Sequence, residues 1–456
     1  MNERRLFVAS CFALVATAFA FSIRADIIPA LKIDFGLTDT EMGHVTGPGM
    51  WGFAITVALG GLLLDKIGMG KLMAFAFVSH VAGVFVTIFA QGFWSLFAGT
   101  LFIGLGNGTV EAAINPLGAT LYPDAKTKHL NILHAWWPGG LIIGGMMSFG
   151  LTKIMGADSV ATPEILSLSW KIKMCLVLIP TVIYGVMLLG QRFPDTERVA
   201  SGISYKEMLK QSYQPMFIVL LFLMVLTAAT ELGPDQWVGN LLQNLVGMQG
   251  VLLLVYTAGI MFVLRQFFTG GLIRTLSPLG LLAISSVLSA IGLFWLSSVK
   301  TALMAFVAAT IFGIGKTYFW PTMLGVVSER FPKGGAVTLG LLGAAGTFSA
   351  GLLVAPAMGV IQDYYAIAKL SEISPPALER VITADGKGLD ERKIIKLEDD
   401  LTKKAVASAK EHSAVMTLRW VGVVPIFLTG AFIVLLLYFR SKGGYKAVKL
   451  ETKTSG

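Results

Sequence analysis

Twelve mostly apolar stretches, each at least about 18 residues long and so able to cross a bilayer as a helix, recur along the chain. They fall at roughly 6–31, 44–64, 72–91, 96–120, 130–153, 172–190, 216–240, 250–272, 278–298, 301–326, 336–361 and 415–439. Lipid offers backbone N–H and C=O groups no partners, so stretches of this length are expected to be helices. Composition agrees: 14% of the 456 residues are charged, against about 25% in soluble domains, and mean hydropathy is +0.72. The expectation is an all-α membrane protein with no room for an enzyme-sized soluble domain. No HExxH, GxSxG or Cys-x-x-Cys motif is present, and neither enzyme activity nor a cofactor or metal is expected.

The opening MNERRLFVASCFALVATAFA has the outline of a signal peptide, but its apolar run is long and eleven more follow, so it is expected to stay as the first span. Cys11 and Cys175 lie in different spans and carry no redox message. The net charge of +9 does not point to nucleic acid. The bases gather in loops on one side: Arg4 and Arg5, Lys66 and Lys71, Lys126 and Lys128, Arg192, Arg198, Lys206, Lys210, Arg274, Arg330, Lys333 and the tail lysines from Lys442 on. This positive-inside pattern predicts a multi-pass protein of a bacterial inner membrane with both termini cytoplasmic. Residues 362–412, with ten acids and nine bases, would then form an extracytoplasmic insertion. Ile394, Leu397, Leu401 and Ala405 recur there at helical spacing, predicting a surface amphipathic helix.

Gly104, Gly106 and Pro123 are matched by Gly313, Gly315 and Pro332 at a constant offset, with aromatic Tyr122 and Phe331 before the prolines and Gly61 matched by Gly270. Such internal repetition suits a transporter built of two related halves. The predicted organisation is an N-terminal six-helix bundle over 1–190, a cytoplasmic linker over 191–214, a C-terminal bundle over 215–440 and a tail over 441–456. A monomer is expected. GIGKT at 313–317 lacks the first glycine of a phosphate loop, which would be Thr310.

The loop GLLLDKIGMGK carries Gly61, Asp65, Lys66 and Gly68 and resembles the signature loop of the major facilitator superfamily. That resemblance implies the major facilitator fold, twelve transmembrane helices in two pseudo-symmetric six-helix bundles. An aspartate at a helix end can cap a neighbouring helix or pair with a base, closing a cytoplasmic latch. In the second half Arg274 stands at the aspartate's place, so a weaker or missing latch is expected there.

Ionisable side chains at bilayer depth are costly and need a use or a partner. Six stand near the middle of their expected spans: Arg24, Asp26, Glu111, Glu231, Arg265 and Lys316. They are either charge-balanced pins between helices or the lining of a water-accessible cavity. Arg24, two residues from Asp26, should face elsewhere and is expected to pair with Glu111 or Glu231.

VEAAINPLGATLYPDAKTKHLNILHAWWPGG, through Glu111, Ala113, Asn115, Pro116, Pro123, Leu130 and Asn131, resembles the fourth and fifth helices of the fucose-galactose-glucose:proton symporter branch of that superfamily. ADIIPAL in the first span and ATELGPDQWVGNLL in the seventh, through Glu231, Trp237 and Asn240, are similar to its other motifs. The resemblance implies import of a small polar solute, foremost a sugar, by proton symport with alternating access, and it assigns proton coupling to Asp26 and Glu111. Departures are His134 and Trp137, where the branch has amides, and Arg24.

Sugar recognition needs aromatic faces beside amide and carboxylate partners. Trp136, Trp137, Trp237 and Trp320 are candidates for the first; Asn115, Asn131, Gln236 and Asn240 for the second, with Glu231 beside them. His134 is a candidate for a proton relay. Arg24, Arg265 and Lys316 offer a second reading, in which the solute is a sugar acid. An acid out of water holds its proton more tightly, so a membrane acid can load on one side and unload on the other. Sodium-coupled uptake, metabolite or drug antiport, and solute sensing without transport are the rival readings.

Overall fold

The computed structural model describes residues 1–37, 39–156, 162–246, 250–383, 386–390, 393–394 and 397–450; side chains at 29, 32–33, 39–41, 163, 236–246, 250–252 and 355 lie outside that description. The described chain is almost wholly helical. The first long helices are α1 (Glu3–Phe35), α2 (Asp39–Ile67), α3 (Met69–Ile88) and α4 (Phe93–Leu121), followed by the shorter α5 (Lys126–His134), α6 (Trp136–Met155), α7 (Pro163–Cys175) and α8 (Leu178–Leu188). Two small helices, α9 (Glu197–Ala200) and α10 (Tyr205–Gln211), occupy the polar linker. Then come α11 (Pro215–Val246), α12 (Gly250–Val263), α13 (Thr269–Leu296), α14 (Ala302–Lys316), α15 (Phe319–Arg330), α16 (Gly335–Phe348), α17 (Ala355–Ile373), α18 (Pro375–Val381) and α19 (Asp400–Ser441).

Ten segments among the described residues are long and apolar enough to cross a membrane. One of them, Leu253–Leu296, contains two expected crossings. They meet at Ser277, whose φ of 60° breaks the helix just before Pro278. The crossing expected at 130–153 is divided between α5 and α6. Twelve crossings are therefore consistent with the helices observed.

Glycine sets how closely the helices approach, because without a side chain two backbones can touch. A Cβ at Gly104 would lie 2.7 Å from the Pro48 carbonyl oxygen, and one at Gly108 would collide with Phe53, so these residues seat α4 on α2. Gly61 of α2 meets Gly340 of α16 in the same way: a Cβ at Gly61 would stand 2.7 Å from the Ala336 carbonyl oxygen and 2.9 Å from the Gly340 Cα. Further bridges between the early and late helices gather at the linker end. Thr127 donates to Glu329 through its N–H (3.2 Å) and its hydroxyl (2.5 Å), and Lys126 donates to the Ser328 carbonyl (3.3 Å). The tail after α19 also crosses this end: the Tyr445 hydroxyl donates to Glu329 (2.8 Å) and Lys449 to Asp124 (2.6 Å).

The amphipathic helix expected from 394 to 405 takes a different form. Ile394, Leu397 and Ala405 do pack on a small apolar cluster of Leu370, Ala377, Val381, Val406 and Ala409. Leu401, however, is 82% exposed, and residues 397–399 are not helical. Asp399 is the reason: its carboxylate accepts the Thr402 N–H at 2.8 Å and caps the start of α19 there. From that cap α19 runs unbroken for 42 residues through the last crossing.

The α2–α16 contact yields a test. A Cβ at Gly343 would lie 3.0 Å from Val57 Cγ1, so a Val57→Cys, Gly343→Cys pair in a chain with Cys11→Ser and Cys175→Ser should form a disulfide readily on mild oxidation. Adding Gly340→Ile should wedge the helices apart and sharply lower the yield on non-reducing gels; unchanged cross-linking would mean the two helices do not meet as described.

Candidate functional site

Two prolines explain the centre of the molecule. Pro138 and Pro321 have no N–H, so the carbonyls four residues before each, on His134 and Thr317, lose their helical donors. Each is the third residue of the helix that follows an interrupted span, Pro138 in α6 after α5 and Pro321 in α15 after α14. Arg265 supplies the missing donors: its Nε donates to the Thr317 oxygen (2.5 Å) and its Nη1 to the His134 oxygen (3.1 Å). It reaches both from a π-helical turn over Leu264–Phe268, an irregularity found often at functional positions. Its Nη2 donates to Glu231 Oε1 at 2.7 Å. The other Glu231 oxygen accepts the backbone N–H of Trp320 (3.0 Å), in the first turn of α15, where helix N–H groups lack internal acceptors. Arg265 and Glu231 are both buried.

A second group joins this one through His134. Asn115 of α4 donates through Nδ2 to Glu111 Oε2 (2.7 Å) and to the Glu111 carbonyl (3.0 Å). The His134 Nε2–H donates to Asn115 Oδ1 at 2.8 Å, an assignment fixed by the amide's own donations. The nearest Glu111 oxygen to that nitrogen is 3.9 Å away. Glu111, Asn115, His134, Arg265, Glu231 and the start of α15 thus form one continuous buried polar chain. Its members lie on helices from both sides of the linker. Glu111 is 5% exposed and has no lysine or arginine partner among the described residues.

The remaining charges sit elsewhere. Lys316 is fully buried, bonded to Asp235 and placed over the Phe312 ring at 5.2 Å. Asp26 accepts from Lys173 of α7 (2.6 Å) and Ser148 of α6 (2.7 Å), with its side chain 38% exposed. Arg24 and Asp26 do not lie at mid-span: they are 21 and 23 residues beyond Glu3 in a 33-residue helix. At 1.5 Å per residue that is roughly 30–35 Å along the axis. The expected pairing of Arg24 with Glu111 or Glu231 is not formed. Its guanidinium rests 4.9 Å from the Phe21 ring centre and beside Gly49 and Thr100, and among the described residues no carboxylate or hydrogen-bond acceptor meets it. Glu231 is taken by Arg265, and Glu111 lies far down α4 from the level of Thr100.

Of the aromatic candidates, Trp137 packs edge-on to Phe21 (5.1 Å between ring centres), Trp136 to Phe262 (5.5 Å), and Trp320 covers Gly346. Asn131 is buried between helices, donating to the Thr127 carbonyl (2.9 Å) and to Thr322 on α15 (3.2 Å). The side chains of Gln236, Trp237 and Asn240 lie outside the described residues. The latch residues form a separate group at the linker end. Asp65 accepts from Arg198 (2.7 Å) and Thr196 (2.8 Å), so its base comes from the linker and not from its own loop. Lys66 instead stands over the Tyr205 ring (4.6 Å). Gly68 turns α2 into α3 at φ +89°, a conformation that favours glycine.

Sequence reasoning missed Lys173, Asp235 and Arg198, the partners of Asp26, Lys316 and Asp65. Each lies at a span end or in the linker, where a charge draws no notice. It also missed a buried trio in which His80 contacts Asn107 (2.8 Å) and Tyr184 (3.1 Å).

A multi-pass bundle of broken helices around a buried polar chain is the architecture of a membrane transporter. Residues 8–356 match the model of the Major Facilitator Superfamily, and the chain belongs to that family. Among solved structures it resembles the transporter FucP in the outward conformation, with a TM-score of 0.66 and 15% identity over 92% of this chain and 98% of that one. It also resembles the proton:xylose symporter XylE (TM-score 0.65, 12% identity, 94% and 96% covered). At these identities the likeness is one of fold. Among curated proteins it is similar to Myo-inositol transporter 1 of Candida albicans, at 25% identity over 36% of this chain, and to the Hexuronate transporter of Bacillus subtilis, at 28% over 37%. The chain spans only 27% and 36% of those two relatives' lengths.

The Arg265–Glu231 pair predicts a characteristic mutational pattern. Glu231→Gln or Arg265→Gln alone leaves a charge buried without its partner and should cost about 3–5 kcal/mol, read as a lowered melting temperature in detergent. The double variant should recover much of that loss. Additive losses would show that the two groups act independently.

Proposed function

We propose that this transporter imports a small polar solute, foremost a sugar or sugar-like acid, together with a proton, and that Glu111 carries the proton. The observation that supports this most is the contrast among the acids on the membrane-crossing helices. Asp26, Asp235 and Glu231 each face a lysine or arginine, while among the described residues Glu111 faces the amide of Asn115 and the ring of His134 and no lysine or arginine. An acid without a cation beside it can become neutral by taking up a proton. A dehydrated, unpaired anion would oppose closure of the surrounding helices, so protonation licenses the inward swing. Asp26, the second acid assigned to coupling, enters this cycle only when its contact with Lys173 breaks.

In this reading residues 1–190 and 215–440 are the two rocking halves. The linker over 191–214 and both termini lie in the cytoplasm of a bacterial cell, and the protein acts as a monomer. Trp136, Trp137 and Trp320 offer ring faces for a sugar; Asn115 and His134 offer polar contacts. The printed substrates of the relatives, myo-inositol and a hexuronate, support a solute of that size and polarity.

Proteoliposomes containing the full chain test the role of Glu111. Glu111→Gln, which mimics the protonated acid, should lose accumulation against a gradient while retaining exchange of labelled for unlabelled solute. Undiminished accumulation in that variant would remove Glu111 from the coupling step.

A further inference from the structure

Of the six ionisable residues first singled out, four have partners of opposite charge: Asp26 with Lys173, Glu231 with Arg265, and Lys316 with Asp235. Glu111 and Arg24 have none among the described residues. They differ in kind, because a carboxylic acid can become neutral by binding a proton whereas a guanidinium stays charged at any physiological pH. A permanent cation drawn into a closing, dehydrating site must meet an anion that the described protein does not supply.

We propose that Arg24 is the receptor for an anionic group on the transported solute, and that the solute is a small monocarboxylate on a hydroxylated scaffold. The guanidinium's five N–H donors have no protein acceptor among the described residues, and its planar fork suits a two-oxygen carboxylate. It lies beside Gly49, where a Cβ would stand 2.0 Å from Nη1, so the glycine is what leaves space for it. The ring of Phe21 lies beneath it, packed edge-on against Trp137 and, at 6.4 Å, Phe53. Charge receptor and aromatic faces are therefore adjacent, on α1, α2 and α6, which matches a sugar-like body bearing one acid group.

The charge balance follows and rests on the proton-symport reading of Glu111. One proton neutralises Glu111 and one monoanion neutralises Arg24, so the loaded carrier moves the sum of +1 and −1, which is zero. Import of one proton with one monoanion is electroneutral. It responds to a pH gradient and not to membrane potential.

The test uses the full chain, purified and in proteoliposomes, with D-glucuronate, D-galacturonate and D-gluconate set against D-glucose and D-galactose. The acids should raise the melting temperature and the neutral sugars should not. Arg24→Gln should weaken acid binding by at least about tenfold, the scale of one charge-assisted pair, while Arg24→Lys keeps part of it. Both variants without solute should melt as the parent does. Uptake of the bound acid should rise with an inward-directed proton gradient and be indifferent to potassium–valinomycin potentials of either sign. The anion receptor is overturned if no acid stabilises the protein, if neutral sugars do so equally, or if Arg24→Gln binds acids undiminished, as a guanidinium that merely reaches for the interface would allow. Potential-driven uptake overturns the one-to-one stoichiometry. Acid exchange that depends on Arg24 in a chain whose uphill uptake ignores Glu111→Gln would sink the proton assignment and leave the anion receptor standing.

Discussion

The structure turns on one guanidinium. Arg265 bonds two carbonyls, those of His134 and Thr317, that Pro138 and Pro321 have left without helical donors. In water such orphaned groups would find solvent. Within a bilayer they must be met by protein, since an unsatisfied buried carbonyl costs about 1–3 kcal/mol. The arginine in turn needs an anion, which Glu231 supplies, and the second oxygen of Glu231 takes up a free N–H at the start of α15. Two prolines in the sequence thus account for two broken helices. The breaks account for the buried arginine, and the arginine accounts for the buried glutamate.

The same constraint sorts the other charges. Each lysine or arginine contact to a carboxylate inside the bundle joins different helices: α1 to α7, α11 to α14, and α11 to the π-helical turn ahead of α13. Such pairs pin helices to one another. Glu111 stands apart because its neighbours are neutral. At the linker end, the bonds from Thr127 to Glu329, Lys126 to the Ser328 carbonyl and Lys449 to Asp124 hold early and late elements together nearer to water. There the energetic stakes of separating them are lower.

Much of the fold was legible in the sequence because lipid enforces it: apolar stretches long enough to cross must be helices. The loop carrying Gly61, Asp65 and Gly68 and the run from Glu111 to Asn115 stood out through their resemblance to family motifs, which says nothing of the contacts they make. Partner choice was not legible. Asp26 was read as a coupling acid with no partner named; Lys173 lies 147 residues away, and packing of α1 on α7 brings them together. Arg24 was expected to pair because a charge in oil usually does; counting acids and bases cannot show that Glu231 is already taken. The start of α19 was misplaced because apolar spacing continued through Leu397, while the capping carboxylate of Asp399 decided where helix began.

The contact between Arg265 and the His134 carbonyl also limits how the molecule can open. The bonds from Arg265 to Glu231 and Thr317 lie within the late helices. Like the Asn131–Thr322 bond, the bond to His134 crosses between early and late helices. Breaking it loses about 1 kcal/mol of hydrogen bond, a small barrier, but it leaves a carbonyl that Pro138 prevents the helix from satisfying. Water must take the arginine's place. That water arrives at the backbone of the residue whose ring donates to Asn115, one side chain from Glu111. In the proposed cycle, separation of the early and late helices here would also hydrate the chain that ends at Glu111, which gives a physical reason for the acid and the arginine to share it.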